Sequence, residues 1–203
     1  MNRNGITREI IDASARAFIY KVLQKHRNYS AILCDKDMSF ILNHVYLSKL
    51  FPSCKFIFMI RDSRAIMPLI NDSFGGFGNN LSQNFEIWNE LIESMFNQCV
   101  KVGSRRCLPV YYEQLVLKPE IVMKKIFIFL NIEWNDMILH GYLDSFNIET
   151  LYDWVGKIPK DVLDKLNTIA PMLQKLGYDT NSNKPDYSKP DQKNEDDIFI
   201  EKS

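Results

Sequence analysis

The segment from Phe56 to Ile60 constrains the fold more than any other, because every one of its residues is apolar. A strand without a polar position suits the inside of a parallel sheet, where both faces are covered. This strand ends abruptly at Arg61-Asp62-Ser63-Arg64. The apolar run Ala31–Cys34 and the segment Leu108–Tyr112 predict two further strands.

Apolar residues at helical spacing predict helices that alternate with these strands. One stripe is formed by Phe85, Trp88, Ile92, Met95 and Cys99. Pro119 suits the first turn of a helix that runs to Leu130, and Pro159 opens another that ends near Gly177. Further helices are predicted over residues 7–26 and 39–51. The alternation predicts the α/β class, with a parallel sheet flanked by helices.

The length of 203 residues predicts one domain, since domains commonly hold about 100–200 residues. We assign residues 1–178 to that domain. From Asp179 onward the chain is rich in Asn, Lys, Asp, Ser and Pro, which is typical of an extended or disordered tail over residues 179–203. Asp186 and Tyr187 lie in this tail, and we expect them to be solvated rather than catalytic.

Charge and composition argue against several classes of function. The 25 basic residues balance the 25 acidic ones, so the chain lacks the excess positive charge typical of nucleic-acid binding. Its longest apolar runs fall far short of the roughly 18 residues that span a membrane, and no signal peptide is recognisable. The histidines are scattered and no Cys-x-x-Cys motif occurs, so no metal site is expected. The four cysteines allow either buried free thiols or one or two disulfides.

Basic residues follow two predicted strands at their carboxyl ends, where open parallel sheets bind ligands. Arg61 and Arg64 come directly after the Phe56–Ile60 strand, and a guanidinium there can hold a phosphate or sulfate by two hydrogen bonds. A surface salt bridge with Asp62 explains them equally well. Lys36 follows the other strand and could neutralise charge on a leaving group, although solvated lysines are more frequent. The glycine-rich segment 74–78 predicts a flexible connection rather than a phosphate loop.

Longer motifs resemble the tyrosylprotein sulfotransferase family, and the likeness extends from about Gly5 to Lys193. The segment that ends in Arg61-Asp62-Ser63-Arg64-Ala65 resembles the family's 3′-phosphate-binding segment. Other matching motifs are Trp88-Asn89, Tyr112-Glu113-Gln114-Leu115-Val116-Leu117, Trp154-Val155-Gly156-Lys157-Ile158-Pro159, Ile169-Ala170-Pro171-Met172-Leu173 and Lys175-Leu176-Gly177-Tyr178-Asp179. These motifs are specific to this family rather than to sulfotransferases at large.

The resemblance implies a sulfotransferase-type α/β domain that transfers a sulfuryl group from 3′-phosphoadenosine 5′-phosphosulfate (PAPS) to a tyrosine phenol, with no metal required. It implies that Lys36 stabilises the transition state, that Arg61 binds the 3′-phosphate and that Tyr112 contacts the nucleotide. Cys99 and Cys107 match a disulfide pair of the family, which would leave Cys34 as an unpaired thiol. A phenol has an ordinary pKa of about 10, so this reaction calls for a general base.

The resemblance also implies partners and a cellular location. The expected substrates are tyrosine-containing acidic segments of secretory proteins, the expected assembly is a homodimer, and the expected location is the Golgi lumen or membrane. Glycosylation sequons at Asn28, Asn71 and Asn80 are weak support for a secretory route, since an asparagine-rich chain contains some by chance. The chain carries no signal peptide or membrane anchor that we recognise.

Departures from the family pattern predict an N-terminally truncated and internally shortened member. The family's first strand, phosphosulfate-binding loop and catalytic glutamate have no counterpart, so we expect no general base in this chain. Leu69 stands where the family has a serine, Ser73 stands where it has an arginine, and a nucleotide-binding segment between His140 and Trp154 is missing. We therefore expect no measurable sulfation by this chain alone. The alternative function is that of a non-catalytic remnant that acts as a dimerisation or interaction module.

Overall fold

The computed structural model describes residues 5–25, 32–36, 43–74, 80–139 and 148–188. The chain divides into two compact units, Met1–Cys54 and Lys55–Ser203. None of the described helices is both long enough and apolar enough to cross a membrane.

The described residues of the first unit form two helices, α1 (Arg8–Lys25) and α2 (His44–Leu50), which contact each other. The Tyr46 hydroxyl of α2 donates to Asp12 Oδ1 of α1 at 2.6 Å. No residue of α1 is buried, so this helix depends on few tertiary contacts. The helix predicted over 7–26 is confirmed, whereas α2 is shorter than the predicted 39–51, of which 39–42 lie outside the described residues.

The strand predicted over Ala31–Cys34 is wrong where the structure describes it. Residues 33–36 have no regular secondary structure, and Ile32 is 53% exposed. Ala31 lies outside the described residues. A strand of this length needs a paired neighbour and a buried face to be stable, and no other described strand pairs with it.

The second unit is organised around two parallel strands, β1 (Phe56–Ile60) and β2 (Cys107–Tyr111). Phe56 pairs with Cys107 and Ile60 with Tyr111, so both strands end at the same edge. The connection runs through α3 (Ser63–Phe74) and α4 (Leu81–Val102), as a parallel pair requires. The predicted α/β class with a parallel sheet is confirmed, and β2 lies one residue before its predicted range.

The main core forms between α4 and one face of the sheet. Phe85, Trp88, Ile92 and Cys99 of the predicted stripe are buried, and Phe96 takes the buried place expected for Met95. These residues cluster with Phe58 and Ile60 of β1. The prediction that β1 is covered on both faces is wrong, because Ile57 and Met59 on its other face are 41% and 43% exposed.

Two further helices follow β2 directly: α5 (Tyr112–Leu117) and α6 (Pro119–Leu130). Pro119 occupies the first turn of α6, as predicted. A second, smaller cluster of Leu108, Val110 and Ile126 packs α6 against β2. All five positions of β2 are buried, in contrast to β1.

A disulfide joins Cys99, near the end of α4, to Cys107, the first residue of β2. Their Cα atoms are 5.4 Å apart. The turn between them depends on Gly103, whose φ of 86° ends the helix in a conformation that favours glycine. This is the pair that the family resemblance implied, and Cys34 is a free, exposed thiol, as expected.

The C-terminal part contains a 3₁₀ helix (Ile148–Tyr152) and three short helices, α7 (Lys160–Leu163), α8 (Leu166–Ile169) and α9 (Met172–Lys175). The prediction of one helix from Pro159 to Gly177 is therefore wrong. Pro171 lacks the N–H that a continuous helix would need, and Ala170 before it has φ −139° and ψ 57°, outside the helical region.

The expectation that Tyr187 is solvated is wrong as well, because its side chain is only 4% exposed and belongs to the main core. Its ring stacks on that of Tyr152, with centroids 5.1 Å apart. Pro185 is buried beside it. The chain thus returns to the core as far as residue 188, and the rest of the expected tail, 189–203, lies outside the described residues.

Candidate functional site

Arg61 and Tyr112 lie side by side at the carboxyl edge of the sheet. They directly follow Ile60 and Tyr111, which are paired in the parallel register. The Arg61 Cζ atom lies 4.4 Å from the centroid of the Tyr112 ring, which is a cation–π contact. Both residues thus lie at the carboxyl ends of adjacent strands.

The Arg61 side chain has a donor without a partner. It is half-buried, and its Nε is shielded from solvent yet has no hydrogen-bond partner among the described residues. A buried donor without a partner is costly, and such groups in native proteins call for an explanation. A bound anion would satisfy this one, because it supplies a charged acceptor.

Arg64, the second predicted anion ligand, is committed elsewhere. Its Nη2 lies 2.8 Å from Asp62 Oδ2, both side chains are buried, and its guanidinium lies 4.6 Å from the Trp154 ring. The alternative of a salt bridge with Asp62 is thus correct for Arg64, although the pair is buried rather than on the surface. Because Asp62 is occupied by Arg64, it leaves Arg61 available for a ligand.

Glu113 connects the segment that follows β2 to the segment that follows β1. Its Oε1 accepts the Asp62 N–H at 2.8 Å, and its Oε2 accepts the Tyr178 hydroxyl at 2.9 Å. Burial raises the pKa of Glu113, and the Asp62 charge adds to the effect, while hydrogen bonds from the Asp62 amide and Tyr178 oppose it. Glu113 is only 3% exposed, so these hydrogen bonds act without competition from water.

Two tyrosines complete the buried network. The Tyr187 hydroxyl donates to Asp62 Oδ2 at 2.7 Å. Burial, followed by the charge of Glu113, raises the pKa of Tyr178, and burial with the Asp62 charge raises that of Tyr187. Both phenols therefore stay protonated and continue to donate at neutral pH.

A cavity of about 290 Å³ borders this network, on the side of Glu113 and Tyr178. Neither Arg61 nor Tyr112 lines it. Its rim carries Asp179 and Asp186, which would repel an anion, so the cavity is not where a phosphate or sulfate would bind.

The remaining predicted site residues are placed as follows. Lys36 is exposed and belongs to the first unit, so its role at the site stays a prediction. Leu69, at the place of the family serine, is 53% exposed and offers no polar contact. Of the glycine-rich segment 74–78, Phe74 is the last residue of α3, and residues 75–78 lie outside the described residues, as do residues 140–147.

Glu113, Tyr178 and Tyr187 belong to this network but were not predicted from the sequence. A signal for Glu113 exists, since it is the one carboxylate in α5, directly after Tyr112 and two positions before the apolar run Leu115–Leu117. Tyr187 stands out only as an aromatic residue within a polar segment. Neither signal identifies Asp62 as the common partner.

Comparisons with known proteins identify the family and the fold of the chain. A family model described as "Sulfotransferase family" matches residues 3–136. The structure is similar to a sulfotransferase domain from the curacin biosynthetic pathway, with a TM-score of 0.50 over 82% of this chain and 64% of that one. The two are 21% identical, so this similarity supports the fold alone.

The curated relatives show to which group of sulfotransferases the chain belongs. Protein-tyrosine sulfotransferase 2 of Gallus gallus is 40% identical over 94% of this chain and 58% of its own length. Protein-tyrosine sulfotransferase 1 of Homo sapiens is 39% identical over 95% and 59%. A putative protein-tyrosine sulfotransferase of Caenorhabditis briggsae is 35% identical over 93% and 75%. The chain therefore belongs to the sulfotransferase family, in its protein-tyrosine sulfotransferase group, and it spans less than two thirds of the length of the first two relatives.

Proposed function

We propose that this chain binds PAPS and serves protein-tyrosine sulfation, the transfer of a sulfuryl group from PAPS to a tyrosine phenol. The observation that carries the proposal is the Arg61 guanidinium, which lies over Tyr112 at the carboxyl edge of two parallel strands. Its buried Nε has no hydrogen-bond partner in the described parts of the chain. The family membership supplies the class of donor, and the names of the relatives supply the class of acceptor.

The chemistry of this pair fits the 3′-phosphate of the donor. A phosphate offers charged acceptor oxygens, and a guanidinium binds them through short charge-assisted hydrogen bonds. The Tyr112 ring restrains the plane of the guanidinium, so less side-chain entropy is lost on binding. Sulfuryl transfer resembles phosphoryl transfer in that positioning and charge stabilisation supply most of the catalysis. In this proposal Lys36 stabilises the charge on the transferring group.

The proposal also covers the substrates, the cellular location and the assembly of the protein. Its substrates would be acidic, tyrosine-containing segments of secretory proteins, its location the Golgi lumen or membrane, and its assembly a homodimer. The Cys99–Cys107 disulfide supports an oxidising compartment, where such bonds persist. Asn80, exposed at the start of α4, is one sequon that a glycosylating enzyme could reach.

Titration with 3′-phosphoadenosine 5′-phosphate (PAP), the donor without its sulfuryl group, tests the nucleotide site. Arg61→Ala should weaken PAP binding about 10- to 100-fold, because a charge-assisted hydrogen bond contributes about 1.5–3 kcal/mol and about 1.4 kcal/mol corresponds to tenfold in affinity. Arg105→Ala is the matched control, since Arg105 is exposed in the turn before β2 and its loss changes net charge equally. Equal affinity in the Arg61 variant and the control would refute the assignment.

Transfer to tyrosine is tested with labelled PAPS and an acidic peptide that contains one tyrosine. Incorporation of sulfate should require the tyrosine, so the same peptide with phenylalanine in its place should stay unlabelled. Since no general base is expected in this chain, we expect no labelling by the chain alone, and labelling that Arg61→Ala abolishes would contradict that expectation. A chain that neither labels the peptide nor binds PAP would favour the alternative of a non-catalytic module.

A further inference from the structure

The C-terminal strap, which we define as residues 182–188, reaches the start of α3 directly. The Tyr187 hydroxyl donates to Asp62 Oδ2 at 2.7 Å and accepts from Trp154 Nε1 at 3.2 Å. The carbonyl of Ser182 accepts from Arg64 Nη1 at 3.3 Å. The strap therefore contributes a hydrogen bond to a buried carboxylate that is 125 positions away in the sequence.

Asp62 connects Tyr187 to Arg61, because it directly follows Arg61 in the chain. The Asp62 amide belongs to the peptide bond that follows Arg61, and it donates to Glu113 Oε1 at 2.8 Å. Glu113 in turn directly follows Tyr112, the residue on which Arg61 lies. Asp62 follows Arg61 and Glu113 follows Tyr112, so this hydrogen bond joins the two segments that carry the stacked pair. Tyr187 in turn donates to the Asp62 side chain.

We propose that Tyr187 is a positioning residue of the nucleotide site, acting through Asp62 and Glu113 on the orientation of Arg61 over Tyr112. This inference rests on the proposed function, in which Arg61 binds the 3′-phosphate. The Tyr178 hydroxyl donates to Glu113, whose carboxylate accepts the amide after Arg61. The Tyr187 hydroxyl donates to the carboxylate of Asp62, the residue that carries this amide. Without either hydroxyl, a buried carboxylate oxygen loses a partner and turns toward those that remain, which moves the peptide that carries Arg61.

The strap has other attachments that do not involve Asp62. The Tyr152 hydroxyl donates to the carbonyl of Pro185 at 3.1 Å, and Lys118 Nζ donates to the carbonyl of Ser188 at 3.2 Å. Tyr152→Phe is therefore a matched control for Tyr187→Phe. Each change removes one hydroxyl whose hydrogen bond joins the strap to the core, but only Tyr187→Phe removes one from Asp62.

The experiment compares PAP affinity by titration calorimetry, at several salt concentrations and well below the lowest unfolding midpoint, for the unaltered chain and both variants. Tyr187→Phe should weaken PAP binding about three- to tenfold, the effect of losing part of one charge-assisted contact. It should also weaken the salt dependence of binding, because the contact that salt screens is that of Arg61. Tyr152→Phe should leave both quantities unchanged, even if it lowers the unfolding midpoint to the same extent.

Tyr178→Phe tests the same network from the side of Glu113, and serves if Tyr187→Phe fails to fold. It should also weaken PAP binding at least threefold. If Tyr187→Phe or Tyr178→Phe binds PAP with unchanged affinity and salt dependence while Arg61→Ala loses affinity, the positioning role is wrong and the nucleotide site stands. If Arg61→Ala itself has no effect, the proposed function is wrong.

Discussion

Glu113 is a single residue whose protonation should be visible in the stability of the whole protein. Its pKa is raised from an ordinary value of 4.5, mainly by burial. Above pH 4.5 the unfolded chain loses this proton while the folded protein still holds it, so Glu113 makes the free energy of unfolding fall as pH rises towards the raised pKa. The slope from one proton is at most about 1.4 kcal/mol per pH unit.

Glu113→Gln should flatten this slope, because an amide keeps an acceptor for the Asp62 N–H but does not titrate. The measurement is the free energy of urea unfolding between pH 4 and 7, taken as the difference between the variant and the unaltered chain. Asp62, Tyr178 and Tyr111 face Glu113 and remain in both proteins. Glu86→Gln, an exposed carboxylate on α4, is the control. An identical slope in Glu113→Gln would contradict the raised pKa.

The position of a site residue can be predicted from the sequence when that residue directly follows a strand. Arg61 and Tyr112 follow two strands, so their neighbourhood is a consequence of parallel pairing. The partners of Asp62 cannot be predicted in the same way. Glu113 and Tyr187 lie 51 and 125 positions away, and these contacts depend on packing that no local pattern encodes. The same packing decides that Arg64 is buried and Arg61 is available.

At the scale of secondary-structure elements, the Cys99–Cys107 disulfide stabilises the connection between α4 and β2. Replacing both Cys99 and Cys107 by Ser should lower the free energy of unfolding by about 2.5 kcal/mol, the entropy that a short cross-linked loop removes from the unfolded chain. Urea unfolding without reductant measures the loss. Cys34→Ser, which removes an exposed free thiol, should change nothing. A double variant as stable as the Cys34 variant would mean that the bridge contributes no stability.

Secondary structure is predictable where one local pattern decides it. The stripe of α4 and the proline that opens α6 both carry over into the structure. The exposed face of β1 does not follow from the sequence, because an all-apolar run specifies burial but not which neighbours cover it. The helix predicted from Pro159 is interrupted twice, after Leu163 and at Ala170-Pro171, and at the second break the missing N–H of Pro171 outweighs the apolar spacing around it.

For the whole molecule, the family and the α/β class follow from the sequence, whereas the division into two units does not. Composition does not change between Cys54 and Lys55, where the units meet in the chain. The return of residues 182–188 to the core is equally hidden, since the segment is polar apart from Tyr187 and a proline. Both features arise from contacts between distant parts of the chain, which composition does not report.

Protection against hydrogen exchange should rank the parts of the molecule by their burial. α1 has no buried residue, and Ile10, Ile11 and Phe18 on it are at least half exposed. Most of a helix's stability in a protein comes from tertiary packing of its apolar face, and α1 buries none of its residues, so its amides should exchange through local opening that costs little free energy.

The amides of β1, β2 and the buried face of α4 should exchange only near the free energy of global unfolding, since they surround Phe58, Ile60, Phe85 and Phe96, each at most 2% exposed. Exchange followed by mass spectrometry of peptides resolves the two groups. PAP should slow exchange at the start of α3 and α5, next to Arg61 and Tyr112, and leave α1 as fast as before. Amides of α1 that exchange as slowly as those of β2 would show that contacts made by residues 5–25 stabilise this helix far more than its exposure indicates.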